Sequence, residues 1–233
     1  MARSQDTTRI RLIHAAERLF AARGIDAVSL REINRASGAK NAIAVQYHFE
    51  DRSGVIHAVL QKHRPDVEAR RHAMLDQYEA DATPDLRSLA AALVRPWAAK
   101  LADPDGGPEY LQIQAELLNR PRPPVETGAA VNTRDSIHRW RSLVGPLLGE
   151  DATRLHRRFT AMRLAAGELG RRASTAPHTD DRLFVSHLID LVAAILAAPV
   201  SEETLRLAAA RDASRASGRP SRDRGGGERG RPR

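Results

Sequence analysis

The sequence predicts an all-α fold, a small N-terminal bundle of three helices followed by a longer helical region, and three observations predict it. Apolar residues recur at i, i+3 and i+4 along most of the chain. Ser, Asp or Asn stands where such runs begin, and Gly or Pro where they end. No stretch alternates apolar and polar residues as a half-buried strand does.

The first run, Thr8 to Arg23, puts Ile13, Ala16 and Phe20 on one face with Leu12 and Leu19 beside them, and Arg11, Glu17 and Arg18 on the other. Gly24 ends it as a C′ residue. The second run opens at Ser29, whose hydroxyl can take an amide of the first turn while Glu32 reaches back, a capping box with Val28 and Ile33 at the staple positions. It stops at Ala36-Ser37, where Gly38 can adopt the positive φ of a tight reversal. Asn41 then caps a helix over Ala42 to His48, about two turns long, with Ile43 or Ala44, Val45 and Phe49 facing inward and Gln46, Tyr47 and His48 outward. So short a helix is marginal alone and needs the first two as scaffold. A helix, a Gly-containing turn and a short exposed helix are the means by which a chain presents side chains to the DNA major groove.

The segments AAERLFAARGIDAVSLREI (residues 15–33) and SGAKNAIAVQYHF (residues 37–49) resemble the N-terminal domain of the TetR family of transcriptional regulators, over roughly residues 9–60. The chain departs from the commonest family pattern in having one residue more between Gly38 and Phe49, in placing Lys40-Asn41 where a Ser or Thr cap is usual, and in having Gly54 where an acidic residue often opens the fourth helix. The resemblance implies a bacterial, cytoplasmic homodimer with a TetR-like fold. Its two copies of Ala42 to His48 would enter successive major grooves of a palindromic double-stranded operator, about 34 Å apart. It implies roles in DNA binding for Ser29, Lys40, Asn41, Ala42, Gln46, Tyr47, His48 and Arg52. Gln46 can pair with adenine in two places, or contact a phosphate or water instead, and Ser29 and Arg52 would hold phosphates.

Charge divides along the chain in the same sense. Residues 1–62 carry +4, residues 63–210 carry −1 and residues 211–233 carry +5, so basic character is confined to the two ends. There is no cysteine, which excludes disulfides and thiol redox sensing. The first residues lack the apolar core of a signal peptide. The longest apolar run, Leu183 to Val200, is broken by Ser186, His187 and Asp190, so no membrane partner is expected.

Past Asp51 a long helix begins, with Val55, Ile56, Val59 and Leu60 on one side. Pro65 predicts a kink or break, with the helix resuming over Val67 to Tyr78. Further helices are expected over about Asp85 to Leu101, Pro108 to Asn119, Val125 to Leu148, Asp151 to Arg172 and Thr179 to Ala198, and a short one from Ser201 to about Arg211. The tail that follows, SRASGRPSRDRGGGERGRPR, is too rich in Gly, Arg and Pro to bury a face and is expected to be disordered. The division expected is 1–51 for DNA binding, 52–210 for regulation and dimerisation, and 211–233 for a basic tail.

Trp97, Tyr110 and Trp140 all fall in the central region, where they read either as walls of a cavity for an unidentified small molecule or as bundle core. Glu116 and Glu168, flanked by apolar residues, read as pocket carboxylates or as surface glutamates. In the last two long segments Phe159, Met162 and Leu169, then Phe184, Leu188, Leu191 and Ile195, form apolar stripes. They match in position the two helices with which the resembled family builds a four-helix dimer bundle.

Catalytic machinery is absent from the pattern. There is no Gly-rich phosphate loop, no Gly-x-Ser-x-Gly and no His-Glu-x-x-His, and His57, His63 and His72 lack metal-ligand spacing. No enzyme, cofactor or metal is expected. The function that follows is a ligand-responsive, sequence-specific regulator, a repressor released by a small molecule. The other class is a sequence-tolerant DNA-coating protein that works through the basic tail.

Overall fold

The computed structural model describes residues 2–41, 43–81, 85–121, 135–175 and 178–217. Among these the fold is all-α, with no strand. Two compact units are present, residues 1–198 and residues 199–233.

In the first unit, α1 (Ala2–Arg23), α2 (Leu30–Ala36) and α3 (Ala44–Phe49) form the N-terminal bundle. Leu12, Ile13, Ala16, Phe20, Ile25, Val28, Ile33, Ala44, Val45 and Phe49 make its core, as the helical spacing requires. Glu17 departs from expectation. It is 1 % exposed rather than on the solvent face, because Lys62 Nζ and His63 Nε2 both meet its carboxylate at 2.9 Å, and a carboxylate is tolerated inside when it is paired.

Helix α4 (Arg52–Ala80) runs unbroken past Pro65, so the break expected there does not occur. A proline removes one backbone donor and crowds the preceding turn. Val55, Ile56, Val59 and His63 on one side of it and Val67, Arg71 and Leu75 on the other are all buried, and that packing holds both halves in one helix.

The first unit continues with α5 (Leu86–Ala98), a 3₁₀ turn (Ala99–Ala102), α6 (Gly107–Asn119), α7 (Ser136–Val144), a 3₁₀ turn (Gly145–Leu147), α8 (Glu150–Arg154), α9 (Arg157–Ala173) and α10 (Arg182–Ala197). Two expected helices are shorter than the periodicity suggested. The run over Val125 to Leu148 is described only from residue 135, where Asp135 caps α7 by accepting the Ile137 amide at 2.8 Å, and it stops at Val144 before Gly145-Pro146. Asp151 to Arg172 divides at His156, which takes a φ of +57° between α8 and α9. No Gly or Pro marks that position, and a non-glycine residue seldom adopts this conformation. Leu75, Leu89, Leu93, Trp97, Tyr110, Leu111, Trp140, Met162, Leu169, Leu188 and Val192 contribute to a second core here.

Helix α6 belongs to both cores. Leu111 and Leu118 lie in the second, while Ile113 and Leu117 are buried with α1 and α4 in the first.

The second unit holds α11 (Glu202–Ser217). It extends past Arg211 into residues expected to be disordered; residues 212–217 still lack helix breakers, which begin at Gly218. The remainder of the tail lies outside the described residues.

Candidate DNA-binding surface

The surface is built from the α2–turn–α3 unit. Ser29 caps α2 as expected: its Oγ accepts the Glu32 amide at 3.3 Å and Glu32 Oε2 accepts the Ser29 amide at 2.8 Å. The bond from the Ser29 backbone, followed by that from Arg23, holds the Glu32 carboxyl down at about 2. Gly38, at φ +67°, makes the reversal. Asn34 on α2 then sends its Nδ2 to the Asn41 carbonyl at 2.9 Å, tying the first helix to the entry of the next.

Helix α3 begins at Ala44, two residues later than expected. Asn41 still organises the start, since its Oδ1 accepts the Ile43 amide at 3.0 Å in a short Asx turn. Of the two alternatives at the inward position, Ala44 is buried and Ile43 is exposed. With Ala44, Val45 and Phe49 anchoring the helix, Gln46 points to solvent, Tyr47 is 67 % exposed, and His48 is half-buried with its ring edge-on to Tyr47 at 5.1 Å. Lys40 and Asn41 are exposed just ahead of them. Lys40, Asn41, Gln46, Tyr47 and His48 therefore lie on one short stretch around α3. Ala42 lies outside the described residues.

Ser29 and Arg52 are placed differently. The Ser29 hydroxyl donates to Glu32 Oε2 at 2.7 Å. The Nη1 of Arg52 donates to the carbonyls of Ile25 at 2.7 Å and Asp26 at 3.1 Å, fastening the start of α4 to the turn between α1 and α2. In this structure both groups brace the bundle.

One residue of the surface, Arg9, gave no sign in the sequence. Arg9 is exposed on α1 with its guanidinium 5.3 Å from the centre of the Phe49 ring, beside α3; its offset from the first apolar run carried no signal. Gly54, by contrast, was visible as a departure without a reason. A Cβ there would stand 1.9 Å from the Phe49 carbonyl oxygen, so only glycine lets the end of α3 approach the first turn of α4 this closely. Asp51 caps that turn by accepting the Gly54 amide at 2.8 Å.

Of the five residues assigned to a pocket, Trp97, Tyr110 and Trp140 come together in the second core. Trp140 Nε1 donates to the Leu89 carbonyl at 2.8 Å, and Tyr110 stacks on His63 at 4.6 Å with its hydroxyl pushed up to about 12 by burial. Glu116 and Glu168 do not join them. Glu116 accepts the Ile25 amide at 3.1 Å and pairs with Arg120, which in turn binds Asp26 at 2.9 Å. Glu168 pairs with Arg171 at the surface of α9.

Of the apolar stripes, Met162, Leu169 and Leu188 are buried in this chain's own core. Phe159 and Leu191 are exposed, and Phe184 and Ile195 are half-buried. Among the described residues no group of three His, Asp or Glu is spaced to hold a metal ion, and no single helix is long and apolar enough to cross a membrane.

Residues 12–59 match the family described as bacterial regulatory proteins, tetR family. No curated protein matches the chain. Among solved structures it is similar to that of a protein from Rhodococcus sp. assigned to the TetR family of transcriptional regulators, at 19 % identity and a TM-score of 0.42, over 80 % of this chain and 98 % of that one.

Proposed function

We propose that this chain, whose residues 12–59 match the tetR family of bacterial regulatory proteins, is a DNA-binding regulator of transcription, a homodimeric repressor released from a palindromic operator by a small molecule. The observation that carries this is α3: three buried residues fix it, and Gln46, Tyr47 and His48 are left outward on a helix too short to stand alone. Gln46 reads a base, Tyr47 and His48 hold the backbone, and Lys40, Asn41 and Arg9 meet phosphate or a base edge at the helix entry.

The exposed or half-buried apolar side chains of α9 and α10, Phe159, Phe184, Leu191 and Ile195, support a face that a second copy covers. The boundaries we assign are 1–51 for DNA binding and 52–210 for regulation and dimerisation, with the protein acting in the cytoplasm, where the chromosome is. Release follows if the ligand binds better to a dimer whose α3 helices no longer match successive grooves.

Genomic fragments captured by the purified protein supply the DNA for the test. Tyr47→Ala and Gln46→Ala should each abolish the gel shift on those fragments while leaving helicity and sedimentation unchanged. A shift retained by both variants rejects α3 as the reading helix.

A further inference from the structure

The regulatory core contains a charge that DNA binding does not use. Arg71, on α4, is 1 % exposed, and its neighbours one turn away on either side, Val67 and Leu75, are buried too. Its Nε donates to the Ala92 carbonyl at 3.2 Å and its Nη1 to Ser136 Oγ at 3.0 Å, and the guanidinium lies over the Trp97 indole at 5.2 Å. Nη2 is buried and has no hydrogen-bond partner among the described residues.

The two carboxylates that act on Arg71 through space are turned to other groups. Glu68 accepts the Ser136 amide at 2.7 Å, and Asp135 accepts Arg64 at 3.1 Å and the Ile137 amide at 2.8 Å. Burial lowers the Arg71 pKa to about 10, which leaves it a cation at neutral pH. A guanidinium held in a core by two neutral acceptors and a ring face, with Glu68 and Asp135 turned to other groups, keeps one N–H edge without an acceptor.

We infer that Arg71 is the anchor for the carboxylate of a small apolar organic acid, taken into the core between α4, α5, α6 and α7. This rests on the ligand-responsive reading above and names the chemical class of the ligand. The unmet edge points to an acceptor, and an ionised one gains most from a guanidinium. A single unmet N–H edge, with the Glu68 and Asp135 carboxylates already in its field, has room for no more than one further negative charge, which favours a monocarboxylate over a doubly charged phosphate. Trp97, Tyr110 and Trp140, gathered in the same core, call for an apolar body behind the carboxylate. Because Arg71 is closed off from solvent, an acid reaches it only as the surrounding side chains part. The acid-bound protein then differs from the free one, which is the condition for a ligand to shift a conformational equilibrium.

Trp97 and Trp140 are the chain's two tryptophans, so intrinsic fluorescence reports from the site itself. The full chain is titrated with octanoate, phenylacetate and benzoate, each beside its primary amide. At least one acid should give a saturable change with a Kd tenfold or more below that of its amide. Arg71→Met should bind that acid no better than the amide, and Arg71→Lys should fall between. Equal binding of acid and amide, no response to any of the three acids, or undiminished acid binding by Arg71→Met overturns the assignment. The acid and amide comparison uses the native chain and decides the matter even if Arg71→Met does not fold. Gel shifts with the same acids separate this inference from the repressor reading. An acid bound through Arg71 that leaves the DNA complex intact sinks release by that ligand and keeps the site. Release that persists in Arg71→Met does the reverse.

Discussion

Glu116 offers the sharpest test of how the N-terminal bundle is held, because one carboxylate on α6 supports the turn between α1 and α2. The perturbation is Glu116→Ala. It removes the acceptor of the Ile25 amide, which sits 3.1 and 3.2 Å from the two carboxylate oxygens, and it strands one side of the Arg120 pair. A hydrogen bond to an ionised acceptor contributes about 1.5–3 kcal/mol. The partly exposed Arg120 pair adds at most about 1 kcal/mol, and Arg120 keeps Asp26 as a partner at 2.9 Å. The expected loss is therefore about 2–3 kcal/mol. For a unit of 198 residues, each kcal/mol lowers Tm by about 2–4 °C, so the melt followed by circular dichroism at pH 7 should fall by roughly 4–12 °C. Glu116→Gln keeps an acceptor for Ile25 but not the charge, and should lose about a third to a half as much. A Glu116→Ala melt within about 1 °C of wild type refutes the reasoning, because the amide would then have another acceptor at no cost. So would equal losses in the two variants.

Three other expectations follow from named contacts. Gly54→Ala should destabilise by about 2–4 kcal/mol in urea and weaken DNA binding, because its Cβ meets the Phe49 carbonyl at 1.9 Å and must push α3 away; wild-type values for both would mean that the turn relaxes freely. Leu191→Asp, on the exposed face of α10, should convert the proposed dimer to a monomer in sedimentation velocity, and a variant that still sediments as a dimer moves the interface elsewhere. The Lys100 ammonium bridges Asp66 at 2.8 Å and Asp103 at 2.9 Å, which holds both carboxyls below their ordinary 3.8. Burial opposes the Lys100 charge, but the same bonds raise its pKa above 10.5. The carboxylates' share of stability is present above about pH 4 and lost as pH falls through their folded values, whereas the lysine's share is lost only above pH 10.5. Urea midpoints should thus drop below pH 4 in wild type and drop less steeply in Lys100→Met; parallel acid limbs would contradict this.

What the sequence disclosed and what it hid have a common physical origin. Caps and inward faces are local properties: Ser29 with Glu32, Asp51 before α4, and Leu12, Phe20, Ile33 and Phe49 at helical spacing were readable because their partners lie within a turn or on the same face. The fates of Glu17, Arg71 and Glu116 were not readable, because their partners stand 46, 65 and 91 residues away. Only the tertiary fold decides whether a charged residue on a mostly polar helix is solvated or paired inside. Pro65 shows the same limit from the other side, since its local penalty was legible but the packing that outweighs it was not. Around α3 the outward set was legible as a list of residues. The commitment of Ser29 to Glu32 and of Arg52 to Ile25 was hidden, as it depends on how α1, α2 and α4 meet.

Helices α4 and α6 limit how independent the two halves of the first unit can be. Val55, Ile56 and Val59 of α4 and Ile113 and Leu117 of α6 are buried with the N-terminal bundle, while Leu75 of α4 and Leu111 and Leu118 of α6 are buried in the second core. Glu17 on α1 is fastened to Lys62 and His63 of α4, and the ring of His63 stacks on Tyr110 of α6. Interiors this closely packed transmit displacement instead of absorbing it. A ligand that parted α4 from α6 beside Arg71 would therefore have to carry the His63–Tyr110 stack and the Glu17 contacts with it or break them. Breaking the largely buried Glu17–Lys62 ion pair costs about 3–5 kcal/mol, more than the 1–3 kcal/mol typical of coupling between two sites. Moving α1 together with α4 is the lesser cost, and α1 is the helix against which α2 and α3 are built. The contact to watch under ligand is accordingly Glu17 with His63: if it persists while α3 is displaced, the displacement runs through α1, and if it opens, the two halves are uncoupled at this junction.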